Sequence, residues 1–263
     1  MSEVPLAASV EGPDGAPVVI LANPIGTTRA IWDAQARLLR DDFRLLRFEL
    51  RGHGEPGARS AAPPGPYSIA ELGTDVLGLM REAGIITAAY CGISLGGMIG
   101  LWLAANAPDR IRSLIVCCTA ITPMPSRQAW LDRAALVRSA GMTAIKEMIP
   151  PRWFTPEFIV RQPEAVAAVM DMLLGTDPQG YAGCGEAIAN LDLRPALASI
   201  KAPTLVIAGA EDLAAPPWQG ARTALGIAES RLTVIRGCAH LAPYQAPGPV
   251  IAAILAHLGH TVG

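Results

Sequence analysis

Residues 83–108 form a run of 26 positions without one charged side chain, bounded by Glu82 and Asp109. Length and polarity alone would let such a run cross a bilayer. Its interior does not suit one. Gly92, Gly96, Gly97 and Gly100 punctuate it and Ser94 sits near its middle. An apolar run broken in this way reads as a buried strand followed directly by a buried helix. A chain that must hide such a unit on both faces needs covering layers above and below, which points to a central sheet flanked by helices.

The rest of the chain can supply those layers. It has 263 residues, of which 51% are hydrophobic and 17% charged, against roughly 25% charged in an average soluble domain. A chain this long buries most of its apolar surface without a metal or disulfide staple. The net charge of -2 lacks the basic footprint of a nucleic-acid binder and the polybasic patch of a membrane anchor. Residues 1–11 carry no basic n-region and no long apolar stretch, so no secretory signal is expected there. The five cysteines (Cys91, Cys117, Cys118, Cys184, Cys238) form no CxxC pair and no metal-like spacing with histidine. They read as reduced, buried thiols in a cytoplasmic protein without a bound metal. Oligomeric state is not legible.

Short apolar runs at 18–21, 45–48, 90–93, 114–117, 204–208 and 232–235 alternate with helical patterns. The alternation predicts an α/β fold with a mostly parallel central sheet and right-handed crossovers. Ser68-Ile69-Ala70-Glu71 predicts a capping box opening a helix that faces inward with Leu72, Val76, Leu79 and Met80 and breaks at Gly84. Residues 6–10 and the Gly-Pro-Asp-Gly turn predict a small N-terminal hairpin. Residues 249–258 predict a closing helix. Between residues 122 and 194 the strands cease, while prolines and helix-like patches at 129–138 and 164–174 continue. The expected organisation is therefore a core of residues 1–121 and 195–263 with a helical cap, 122–194, over the edge where such sheets bind ligands.

Gly92-Ile93-Ser94-Leu95-Gly96 carries the chemistry. Glycines two before and two after a serine permit a sharp strand-to-helix turn that lifts the hydroxyl above the sheet, a nucleophile elbow. A serine needs a base, and there are four histidines. His257 and His260 fall in or after the last helix, where surface positions are expected. His53 lies in Arg51-Gly52-His53-Gly54 and suits a structural hydrogen bond. His240 follows the run 232–235 after a short loop, which places it at the edge that holds Ser94. Gly209-Ala210-Glu211-Asp212 follows the run 204–208. Asp212 is the favoured orienting acid and Glu211 its rival; a solvated acidic pair is the plainer alternative. Two backbone amides are needed for an oxyanion. Leu95 follows the nucleophile, and Ile25 sits in the loop Asn23-Pro24-Ile25-Gly26-Thr27-Thr28, which could also be an ordinary Gly/Pro turn.

These segments, with Gly65-Pro66-Tyr67-Ser68-Ile69, Pro151-Arg152-Trp153-Phe154-Thr155, Gly180-Tyr181, Glu186-Ala187-Ile188, Asp192-Leu193-Arg194-Pro195 and Asp212-Leu213-Ala214-Ala215, resemble α/β-hydrolases of the 3-oxoadipate enol-lactonase group. The resemblance implies a serine hydrolase of the β-ketoadipate route. It would open 3-oxoadipate enol-lactone to 3-oxoadipate with Ser94, Asp212 and His240, an oxyanion hole of Ile25 and Leu95, and no cofactor. Its partner would be a small-molecule lactone or ester. A carboxylate-bearing lactone calls for a cation in the cap: Arg133 beside Trp130, or Arg152 beside Trp153. A solvated arginine with a tryptophan packing the cap onto the core is the alternative. The chain departs from the group at Pro24, where serine is usual, at Glu55-Pro56, and around the base in Ala239-His240-Leu241-Ala242-Pro243-Tyr244. A carboxylesterase, another lactonase or a C–C bond hydrolase would use the same triad.

Overall fold

The computed structural model describes residues 3–55, 57 and 60–261; of the departures above, Pro56 lies outside them. Seven strands make one sheet: β1 (Ala8–Glu11), β2 (Val18–Ala22), β3 (Arg44–Phe48), β4 (Ala88–Ile93), β5 (Ile111–Cys117), β6 (Thr204–Gly209) and β7 (Ser230–Ile235). Their order is β1-β3-β2-β4-β5-β6-β7. β1 runs antiparallel to β3, and the other neighbouring pairs are parallel. β4, the first half of the uncharged run, is the central strand, and all six of its residues are buried. The second half is the helix Leu95–Asn106, apolar nearly all round and packed into the core, as a buried helix requires.

The expected N-terminal hairpin is not formed. β1 pairs with β3 rather than with its sequence neighbour β2. The patterns explain why. β1 alternates between exposed and half-buried residues, as suits an edge. β2 is Val-Val-Ile-Leu-Ala, buried over its last four residues, and needs strands on both sides. The closing helix runs over Pro247–Thr261. His257 within it is buried rather than exposed, with Nε2 3.0 Å from Ser113 Oγ of β5. All five cysteines are buried and unbridged.

Between β5 and β6 the chain forms helices Arg127–Ala140, Pro150–Trp153, Pro156–Arg161, Pro163–Gly175 and Pro178–Ala189, with a 3-10 stretch at Met142–Met148. Pro150, Pro156, Pro163 and Pro178 each open a helix. The first helical position loses nothing when its N–H is missing, so these prolines mark starts. Among the described residues no helix is long and apolar enough to cross a membrane.

The helix Ile69–Glu82 shows how locally the fold is encoded. Ser68 Oγ accepts the Glu71 amide at 3.2 Å, and Glu71 Oε2 accepts the Ser68 amide at 2.8 Å. Leu72, Val76, Leu79 and Met80 are buried, and the chain turns out of the helix at Gly84 with φ +66°. Ser68→Ala is expected to lower the unfolding free energy by about 1 kcal/mol. Urea denaturation reads this, and an unchanged midpoint would contradict the cap's contribution.

Candidate active site

The turn between β4 and the helix Leu95–Asn106 is built by exclusion. A Cβ on Gly92 would lie 2.4 Å from the carbonyl of Gly96, and one on Gly96 would lie 2.4 Å from the carbonyl oxygen of Ala22. A Cβ on Gly97 would overlap Thr119 Oγ1 at 2.0 Å. With those positions empty the chain folds back within one residue. That residue is Ser94, at φ +51° and ψ -112°, a conformation that costs a non-glycine residue about 1–3 kcal/mol. Its amide donates to Cys117 O at 2.9 Å, its carbonyl accepts the Met98 amide at 2.9 Å, and the Gly96 amide donates to Asn23 O at 3.1 Å. The strain is held by the ends of the two neighbouring strands, β2 and β5, and by the first turn of the helix.

His240 and Asp212 meet at the same edge. Both are buried, and Nδ1 donates to Asp212 Oδ2 at 2.9 Å. Asp212 Oδ1 accepts the amides of Ala214 and Ala215 at 2.7 and 2.8 Å. A carboxylate held by two amides offers its remaining oxygen as an acceptor only, so the imidazole proton sits on Nδ1 and Nε2 is left as a base. Glu211, the rival acid, is exposed. Ser94 and His240 line one narrow cavity. Among the described residues no hydrogen bond of 3.5 Å or less joins their side chains, a looseness common in catalytic pairs without substrate.

The loop after β2 lies beside the turn. The Gly26 amide donates to His53 Nε2 at 2.8 Å, and His53 Nδ1 donates to Arg51 O at 2.9 Å. His53 is therefore a neutral structural acceptor under this loop. Pro24 has no amide and that of Gly26 is taken, which leaves Ile25 at the crest. Leu95 opens its helix, so its amide is one of the four a helix leaves without an internal acceptor.

The β5–β6 helices close the cavity. The lining includes Ile25, Ser94, Trp130, Arg133, Arg152, Trp153, Tyr181 and His240. Trp130 donates from Nε1 to Met124 O at 2.8 Å and carries the Arg133 guanidinium 4.5 Å from its ring centre. Trp153 is buried; its carbonyl accepts the amide of Leu241, next to His240, at 3.2 Å. Neither Arg133 nor Arg152 forms an ion pair among the described residues, although the Asp212 carboxylate attracts the Arg152 guanidinium at longer range. Burial, followed by the repulsion of Arg133, pulls the Arg152 guanidinium below its ordinary range. The Tyr181 hydroxyl is buried and faces the Arg133 guanidinium, whose pull opposes the rise that burial imposes on it. Two guanidinium groups outside any ion pair thus face one cavity, which is a setting for an anion. Among the described residues no group of three or more His, Cys, Asp or Glu is arranged to hold a metal ion.

Sequence reading named Ser94, Asp212, His240, Ile25, Leu95, Trp130, Arg133 and Trp153. Leu95 supplies the residue after Ser94, and the other seven lie in or directly behind the cavity. It gave no role to Tyr181 or to Glu49, a buried acid under the Ile25 loop. The signal for Glu49 was its place at the end of β3, at the sheet edge that carries the other groups. Ser94→Gly is expected to raise the unfolding free energy by about 1 kcal/mol as the left-handed strain is relieved. Gly96→Ala is expected to lower it by about 1–3 kcal/mol. Thermal and urea unfolding of both variants check the signs, and a destabilised Ser94→Gly would contradict a strained turn.

Comparison with known proteins agrees with this fold. Residues 17–247 match the alpha/beta hydrolase fold family. The chain is 38% identical over 245 residues to 3-oxoadipate enol-lactonase 2 of Acinetobacter baylyi, covering 93% of this chain and 90% of that protein. The crystal structure of the enol-lactonase from Burkholderia xenovorans LB400 superimposes with a TM-score of 0.92 at 39% identity, covering 97% of this chain and 96% of that one. A thermophilic esterase from Thermogutta terrifontis, solved with malate bound, follows with a TM-score of 0.90 at 29% identity, covering 97% and 93%. The chain belongs to the α/β-hydrolase family, within its 3-oxoadipate enol-lactonase group.

Proposed function

We propose that this hydrolase opens a carboxylate-bearing enol-lactone, 3-oxoadipate enol-lactone, to 3-oxoadipate through an acyl-enzyme on Ser94. One observation carries the reading. Arg133 and Arg152, neither of them in an ion pair among the described residues, face the cavity that holds Ser94 and His240. A neutral ester gives these guanidinium groups no ion-pair partner, whereas a carboxylate offers one through charge-assisted hydrogen bonds. The names of the relatives at 38–39% identity support the same substrate class.

In this reading residues 122–194 act as the cap that supplies those cations. The substrate carboxylate is held toward Arg133 and Arg152, with Trp130 and Trp153 against the ring. His240 Nε2 takes the Ser94 proton as Oγ bonds to the lactone carbonyl carbon, and Asp212 stabilises the imidazolium that forms. The amides of Ile25 and Leu95 hold the oxyanion. The ring C–O bond then breaks, the enol oxygen takes the proton back from His240, and the whole substrate remains attached to Ser94. Water, deprotonated by His240, attacks the acyl carbon; the bond to Oγ breaks as Ser94 takes that proton from His240, and the acid is released. The enol tautomerises to the ketone, which drives the opening forward. Each step uses groups that the chain itself provides.

Loss of the enol-lactone's ultraviolet absorbance on mixing with purified protein tests the proposal. Ser94→Ala is expected to lose several orders of magnitude in kcat, and Asp212→Asn on the order of 10⁴-fold through the wrong imidazole tautomer. Arg133→Met and Arg152→Met should each lose at least about tenfold in kcat/KM on the lactone, and less on uncharged p-nitrophenyl acetate. Rapid turnover of p-nitrophenyl acetate with no loss of lactone absorbance would replace this reading with a carboxylesterase.

A further inference from the structure

Glu49 follows β3 and is only 3% exposed. Both of its carboxylate oxygens lie 3.1 Å from the amide nitrogen of Arg29, which donates to them, and Oε2 also accepts Asn23 Nδ2 at 3.2 Å. Asn23 and Arg29 bracket the loop whose crest is Ile25. The Asn23 carbonyl accepts the Gly96 amide at 3.1 Å, so the same residue grips the turn that carries Leu95. Glu49 itself is fixed from behind: its amide donates to Ala7 O and its carbonyl accepts Ser60 Oγ, both at 2.8 Å.

We infer that Glu49 is a positioning residue, whose ionised carboxylate clamps both ends of the 23–29 loop and thereby sets the aim of the Ile25 and Leu95 amides at the oxyanion. The inference rests on the reading of those two amides as the oxyanion hole. Two donors at opposite ends of one loop converge on a single side chain, which is more than packing requires. An ionised carboxylate accepts on both oxygens, so Oε1 holds the Arg29 amide while Oε2 is shared between Arg29 and Asn23; a neutral acid or an amide loses acceptance at one of its two atoms.

The clamp has a cost that makes it visible. Burial pushes the Glu49 carboxyl up to about 7, against the opposing pull of the Arg29 and Asn23 hydrogen bonds. The charged groups facing it are Arg29, whose Nε is 3.8 Å away, and Glu55, which also resists its ionisation. The folded protein therefore binds this proton more tightly than the unfolded chain does. Its stability contribution falls as pH rises from the ordinary carboxylate range through about 7.

The test uses Ser94 phosphonylation by an uncharged p-nitrophenyl phosphonate, read by peptide mass spectrometry in wild type, Glu49→Gln, Glu49→Asp and Glu49→Ala. The phosphoryl oxygen occupies the oxyanion hole whatever the natural substrate. Glu49→Ala is expected to slow labelling about 100-fold, the scale of losing one oxyanion donor. Glu49→Gln should slow it at least about tenfold, with Glu49→Asp partly restoring it. The wild-type rate should show an acid-side fall near pH 7 from protonation of Glu49 that Glu49→Gln lacks. Glu49→Gln should also melt higher than wild type at about pH 8.5 and equally at about pH 5, which shows that it folds. Wild-type rates and an unchanged profile in a folded Glu49→Gln would overturn the inference while leaving the Ser94 reading intact. Failure to label Ser94 in wild type would overturn both.

Discussion

The turn at Ser94 depends on the absence of three side chains. Gly92, Gly96 and Gly97 let β4 and the following helix approach so closely that any Cβ would overlap backbone or Thr119. The geometry forces Ser94 into a left-handed conformation, and the hydrogen bonds that hold it there come from the ends of β2 and β5. A strained residue persists only where its surroundings over-determine it. The central, fully buried position of β4 supplies that rigidity. The uncharged run that suggests a membrane span on hydropathy is the physical condition for this turn.

Around the turn, each polar group is held by a group that is itself held. Asp212 is fixed by two amides before it meets His240. The loop of His240 is tied to the β5–β6 helices, where the Leu241 amide donates to Trp153 O and Gln245 Nε2 donates to Thr155 Oγ1 at 2.7 Å. The loop of Ile25 rests on His53 and Glu49. Gly52 and Gly180 meet so closely that a Cβ on Gly52 would lie 2.6 Å from the Gly180 Cα, and the Asp177 amide donates to Gly52 O. The helices above the site are thus keyed to the loops below it, and the two arginines enter the cavity from a fixed frame.

Features governed by local chemistry were legible in the sequence. Apolar runs marked six of the sheet's seven strands to within a few residues, and Ser68 and Glu71 marked a helix start. The spacing of Gly92, Ser94 and Gly96 gave the turn. What escaped depends on long-range pairing. β1 belongs to β3 because β2 needs two neighbours, and no pattern within residues 6–15 contains that competition. His257 is buried because the last helix lies against β5. Prolines that look like breaks open helices. Arg133 and Arg152 could each be weighed as a cation, but their shared lack of an ion pair depends on where distant segments fall. Glu49 reads as an unremarkable charge until the loop from β2 is folded over it.

The central claim is that Ser94 becomes covalently acylated by an enol-lactone. Rapid mixing of the protein with 3-oxoadipate enol-lactone, acid quench and peptide mass spectrometry test it directly. The expected result is a transient adduct on Ser94 with the mass of the intact lactone, because ring opening leaves no fragment behind. Consumption of the lactone with no adduct on Ser94 at any mixing time would contradict it.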